Sequence, residues 1–132
     1  MIGVVVAAHG NLAQELVQTT GFIVGDQENV VALTVDPSRS VEEMKQAIKK
    51  AIKQVDTGDG ILILTDMFGG TPANMSLSFL EEGKVEVITG VNLPMLIRLS
   101  QCRESMTLAE AAQSIVEYAR KSINQATQIL NR

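Results

Sequence analysis

Aromatic side chains are nearly missing from this chain of 132 residues, which holds three Phe, one Tyr and no Trp. A core must therefore be assembled from Val, Ile, Leu, Met and Ala. Cys102 is the lone cysteine, so no disulfide can close within the chain and no thiolate cluster can hold a metal. His9 is the lone histidine; with only scattered carboxylates beside it, no closed metal-ligand set is expected. Basic charge is also short, with 11 Lys and Arg against 15 Asp and Glu and a net charge of -4. No Lys/Arg stripe marks a predicted face, which argues against nucleic-acid binding. An acidic surface suits a basic protein partner instead. No apolar run reaches the length of a membrane span. The opening run Ile2–Ala8 has no basic segment before it and stops at His9, unlike a signal peptide. A cytoplasmic protein is expected.

What is present is a globular composition, 45% hydrophobic and 20% charged, of a length expected for one domain over residues 1–132. Ile2–Ala8 is almost continuously apolar, the pattern of a strand buried on both faces. Asn11 and Gln14 have capping-box spacing for a helix through Leu12, Leu16 and Val17, ending between Thr20 and Val24 near Gly21 and Gly25. Asn29–Val35 reads as a second strand, closed by Asp36-Pro37. Ser40 and Glu43 form another capping box. After it, Val41, Met44, Ala47, Ile48, Ala51, Ile52 and Val55 recur at helical spacing, with Lys45, Lys49, Lys50 and Lys53 outside.

Gly58-Asp59-Gly60 turns into a third buried strand, Ile61–Thr65. Thr71 and Pro72 read as N-cap and N1 of a helix that continues through Phe79 and Leu80 to Glu82-Gly83. Val85–Ile88 contains one polar residue and is expected at or near a sheet edge. A helix opens at Leu93-Pro94, and a last one begins at the Thr107–Glu110 capping box and runs unbroken to about Ile129. Strands alternating with helices call for an α/β fold: an open, mainly parallel sheet with helices on both faces. A strand order of 2-1-3-4 would make the first and third strands neighbours at the switch point, where ligand crevices form.

That order brings three polar features together. His9-Gly10 follows the first strand, Asp66 ends the third, and Gly69-Gly70-Thr71 leads into the helix opened by Pro72. Imidazole is nucleophilic near neutral pH, and a carboxylate on one ring nitrogen leaves the other free to attack. Backbone N–H groups of a glycine-rich turn and a helix N-terminus can receive the charge of a transferred phosphoryl group. No Gly-Lys-Ser/Thr follows the glycines, and no Gly-x-Gly-x-x-Gly follows the first strand, so neither a Walker-type nor a dinucleotide site is expected. Each feature alone also fits ordinary turn chemistry.

Three stretches, Val6-Ala-Ala-His-Gly10, Leu64-Thr-Asp-Met-Phe-Gly-Gly-Thr-Pro-Ala-Asn74 and Thr89-Gly-Val-Asn-Leu-Pro-Met95, together resemble the mannose-type IIA component of the sugar phosphotransferase system. The resemblance covers nearly the whole chain. It implies a cytoplasmic homodimeric phosphocarrier that takes a phosphoryl group from phospho-HPr and passes it to a IIB component. The membrane is then reached only indirectly, through the IIC and IID components. It makes His9 the phosphorylated residue, Asp66 its ring partner, and Gly69, Gly70 and Thr71 the phosphate cradle. Met67, Phe68, Asn92, Leu93 and Met95 are expected at the rim where partners would dock, with core packing an equal reading for Leu93 and Met95. No cofactor is implied. Some members add a strand after the last helix and swap it across the dimer; here Tyr118–Arg132 reads as helix instead. Two other readings stay open: a phosphocarrier serving dihydroxyacetone kinase, and a regulatory domain that senses phosphorylation state. The sugar is not legible.

Overall fold

The computed structural model describes residues 1–67 and 71–131, with the backbone alone at residues 71–73. Four strands alternate with helices: β1 (Gly3–His9), α1 (Leu12–Val24), β2 (Val30–Val35), α2 (Val41–Val55), β3 (Ile61–Thr65), α3 (Thr71–Leu77) and β4 (Val85–Thr89). Three helices follow, α4 (Leu93–Cys102), α5 (Leu108–Lys121) and α6 (Ala126–Leu130). All strand pairs are parallel and the order is β2-β1-β3-β4. The expected order therefore holds, and β4 lies at an edge as its polar residue required.

Strand alternation sorts the core into two layers. Val4, Val6, Leu62, Leu64 and Ile88 face α1, α4 and α5, packing with Leu96, Leu99, Leu108 and Ile115. Val5, Ile61, Ile63 and Val85 face the other side, with Met44, Ile48 and Val55 of α2 and Met75 of α3. β1 and β3 are covered on both faces, which explains their uninterrupted apolar runs. Gly3 is required where α2 ends against β1, because an added Cβ would meet the Val55 carbonyl.

The capping boxes at Ser40–Glu43 and Thr107–Glu110 are both formed. Four local expectations change. The Asn11–Gln14 box does not form: Asn11 makes no side-chain cap bond, and Gln14 Nε2 instead donates to Thr34 Oγ1 at 2.6 Å. Asn29 adopts a φ of +54° and precedes β2 rather than opening it. α3 stops at Leu77, five residues before Glu82. There the Ser78 hydroxyl donates to the Met75 carbonyl, the next turns tighten to i–3 bonds, and Glu81 exchanges backbone bonds with Val85.

The last helix is likewise not continuous to Ile129. It breaks after Lys121, where the Ser122 hydroxyl donates to the Tyr118 carbonyl and Asn124 Nδ2 to the Lys121 carbonyl. α6 buries no residue, so no packed face holds that segment in the helical register of α5. No strand follows β4 among the described residues.

Candidate functional site

His9 ends β1 and Asp66 follows β3, and the parallel β1–β3 pairing sets them side by side. Asp66 Oδ2 accepts twice from His9: from its backbone N–H at 3.1 Å and from ring Nδ1 at 2.9 Å. A carboxylate has no proton to give, so Nδ1 carries the hydrogen, and in the neutral imidazole Nε2 keeps the lone pair. Burial is the largest influence on Asp66 and would raise its pKa. The bonds from the His9 ring and backbone, with the attraction of the ring, outweigh it and hold Asp66 below the ordinary carboxylate value. The carboxylate is mostly buried at 12% exposure, whereas the imidazole is 44% exposed. An open imidazole on a shielded anchor suits exchange with another protein's surface.

Backbone geometry adds to the anchor. Gly10 turns the chain at a φ of +57°, a left-handed conformation that costs little only in glycine. α1 begins two residues later, so its N-terminus follows His9 closely in the chain. With Asn11 making no cap bond, the N–H donors of the first α1 turn keep no side-chain acceptor from Asn11, a setting suited to an anion. The capping-box pattern had pointed the other way; only contact with Thr34 on β2 withdraws Gln14.

The third motif also converges here. The Val91 N–H donates to the Thr65 carbonyl at 2.9 Å, tying the β4–α4 connection to the end of β3. Asn92 is half-buried and uses its side chain as the α4 N-cap, accepting from Met95 N–H at 3.0 Å. Leu93 is half-buried and Met67 is exposed. Met95 is a correction to the docking rim: it is 2% exposed and packs in the core beneath α4, because helical spacing turns it inward with Leu96 and Leu99. Phe68, Gly69 and Gly70 lie outside the described residues, and Thr71 enters only as the first residue of α3. Among the described residues, no group of three or more His, Cys, Asp or Glu is placed to hold a metal. No helix among them is long and apolar enough to cross a membrane.

The chain is similar to known proteins over most of its length. The family model described as the fructose IIA component of the phosphotransferase system (EIIA-man) matches residues 3–116. The fructose-specific EIIA component of Bacillus subtilis is 27% identical across the whole chain and 91% of its own length. The mannose-specific EIIAB component of Escherichia coli K12 is 34% identical over 78% of this chain, which spans 32% of that protein. The crystal structure of EIIA from Streptococcus agalactiae superposes with a TM-score of 0.87 at 26% identity, covering 97% of this chain and 99% of that one.

Proposed function

The chain belongs to the fructose- and mannose-type EIIA family of the sugar phosphotransferase system, and on that footing we propose that His9 carries the phosphoryl group of its relay. A protein of this family is a phosphotransferase that works through a phosphohistidine. The observation that supports this role for His9 is its ring geometry: Nδ1 is committed to Asp66 at 2.9 Å, and Nε2 is the nitrogen left to attack.

In the proposed reaction, phospho-HPr docks over the exposed imidazole. The Nε2 lone pair forms a bond to phosphorus as the bond from phosphorus to the donor imidazole breaks, and that electron pair returns to the donor nitrogen. The Nδ1 proton stays on His9, so the ring becomes cationic and Asp66 stabilises it. N–H donors at the start of α1 receive the equatorial oxygens, with Gly69, Gly70 and Thr71 as further candidates from sequence. A IIB component then docks at the same place and takes the group by the reverse step. Exchange between two imidazoles preserves bond type, so the step needs no further co-reactant.

Met67, Asn92 and Leu93, with Phe68 by sequence, form the proposed docking rim. Residues 1–132 form one EIIA domain in this reading, which acts in the cytoplasm as a homodimer and meets the membrane only through the IIC and IID components. Intact-mass analysis after incubation with phosphoenolpyruvate, enzyme I and HPr tests the assignment. The wild type gains one acid-labile phosphoryl group and His9→Ala gains none; a phosphoryl group on His9→Ala refutes it.

A further inference from the structure

The sheet has two edge strands, β2 and β4, and their outer sides are finished differently. In a parallel ladder, alternate residues of an edge strand turn their backbone N–H and C=O away from the sheet. On β4, the Ile61 N–H donates to the Lys84 carbonyl at 2.8 Å and Ile61 pairs with Val85, so Val85 and Val87 turn outward. Most of those groups are taken. Val85 donates to and accepts from the Glu81 backbone at 2.8 and 3.0 Å, and the Val87 N–H donates to Glu86 Oε1 at 2.9 Å. The charge of Glu86 adds to this, since charged residues on an edge discourage further pairing.

β2 lacks any such finish. The Val4 N–H donates to the Asn29 carbonyl at 3.0 Å and Val4 pairs with Val30, so Val30, Ala32 and Thr34 turn outward. Among the described residues no bond occupies their outward N–H or C=O groups. The strand, Val-Val-Ala-Leu-Thr-Val, has no charged residue and no proline, and its register with β1 is unbroken. An edge of this kind is a template for another strand. Beside it runs a groove between β2 and α2, with Val31, Leu33, Ala47 and Ala51 as its apolar lining. Its polar lining is ordered along α2: Arg39, Glu42 and Glu43 at one end, Gln46 between, and Lys50 and Gln54 at the other.

We propose that a second copy of this chain covers the β2 edge, the two β2 strands pairing antiparallel about a two-fold axis at Ala32. The proposal rests on the homodimer reading above and names its interface. Two features select a second copy over a foreign strand. The outward residues are symmetric about Ala32, so Val30 meets Thr34 of the second copy and Ala32 meets its own counterpart. Centring the axis on any other residue of β2 leaves an outward residue without a partner strand. On the groove face the same register sets Val31 against Leu33 of the second copy. The charges are self-complementary too. The two α2 helices lie antiparallel on one face of the joined sheet, so the Glu42–Glu43 end of each faces the Lys50 end of the other, with uncharged Gln46 nearest the axis. Antiparallel pairing points the carboxyl ends of the two sheets in opposite directions, which leaves each His9 open to its own partner.

The test joins sedimentation of the full chain over a dilution series with amide hydrogen exchange by NMR, on the wild type and Ala32→Pro. The Ala32 N–H points away from β1, so proline there removes the central interchain donor without breaking a β1–β2 bond. The wild type should be a dimer at about 10 μM. Its Val30 and Thr34 amides should exchange at least about tenfold more slowly than in Ala32→Pro. Ala32→Pro should sediment as a monomer and still gain one phosphoryl group on His9 from phospho-HPr. A wild-type dimer whose Val30, Ala32 and Thr34 amides exchange as freely as in an unpaired strand overturns the β2 interface and leaves the homodimer reading standing, as does an Ala32→Pro dimer as tight as the wild type. A wild type that stays monomeric throughout the series overturns both. The wild-type outcomes do not depend on the variant folding.

Discussion

Replacing Asp66 with Asn keeps the size and one acceptor oxygen of the side chain but removes its charge. In the wild type a single oxygen, Oδ2, holds both the His9 backbone N–H and ring Nδ1. Phosphorylation of Nε2 turns the ring into a cation about 4 Å from the carboxylate centre, worth about 4 kcal/mol at an effective dielectric constant of ~20. Exposure of the imidazole at 44% screens that attraction, and halving it leaves about 2 kcal/mol. Exchanging a charged for a neutral hydrogen bond adds about 1 kcal/mol. A total of about 3 kcal/mol slows transfer by roughly 150-fold. Asp66→Ala loses the remaining acceptor as well, and about 4 kcal/mol corresponds to roughly 10³-fold.

Single-turnover transfer from phospho-HPr reads this directly, quenched in base because phosphohistidine is acid-labile and resolved by intact mass. The equilibrium share of phosphate on the protein should fall along with the rate, since the carboxylate stabilises the product ring too. Circular dichroism should show an unchanged fold. An Asp66→Asn rate within about threefold of wild type at saturating donor would remove Asp66 from the mechanism, since so small a change is under 1 kcal/mol.

Other expectations concern the scaffold. The Asp66 pKa is lowered in the fold, so its share of stability is complete above the unfolded value of about 3.9 and is lost as pH falls through the lower folded value. The stability gap between wild type and Asp66→Asn, measured by urea unfolding, should therefore close below about pH 4. Thr107→Ala removes the N-cap of α5 and should cost about 1 kcal/mol, seen as a lower Tm. Gly3→Ala forces a methyl onto the Val55 carbonyl and should cost at least about 3 kcal/mol in the same assay. Gly10→Ala meets no neighbouring atom and strains only its left-handed φ, so it should cost about 1–2 kcal/mol.

The strand cores, the α2 and α5 starts and the convergence of His9 with Asp66 were legible in the residues. Their causes are local or periodic: continuous Val/Ile/Leu runs demand two covered faces, and Ser40–Glu43 and Thr107–Glu110 satisfy their own helix ends. One order of parallel strands then suffices to bring the ends of β1 and β3 together. Failures fell where a side chain had two partners of similar worth. Gln14 had cap spacing to Asn11, yet Thr34 on a neighbouring strand takes its amide. Ser78, Ser122 and Asn124 end helices that apolar periodicity alone would continue, because they bond nearby carbonyls.

Met95 and Arg103 mark the boundary most clearly. Sequence set Met95 beside Leu93 in one motif, and only the rotation of α4 on the sheet decides that Met95 is buried while Leu93 stays half-exposed. Arg103 looks like a surface cation in a polar stretch. Folding places it under the start of β1, where it binds carbonyls 101 and 74 residues away in the chain. Sequence by itself determined which segments form the buried strands and where α2 and α5 begin, because those depend on neighbours a few residues apart, and it singled out His9 and Asp66 as the candidate site residues. Tertiary structure alone decided which donors stay open, at the start of α1 and at Arg103 Nη1, because a hydrogen bond is won by whichever acceptor the packed chain brings within reach.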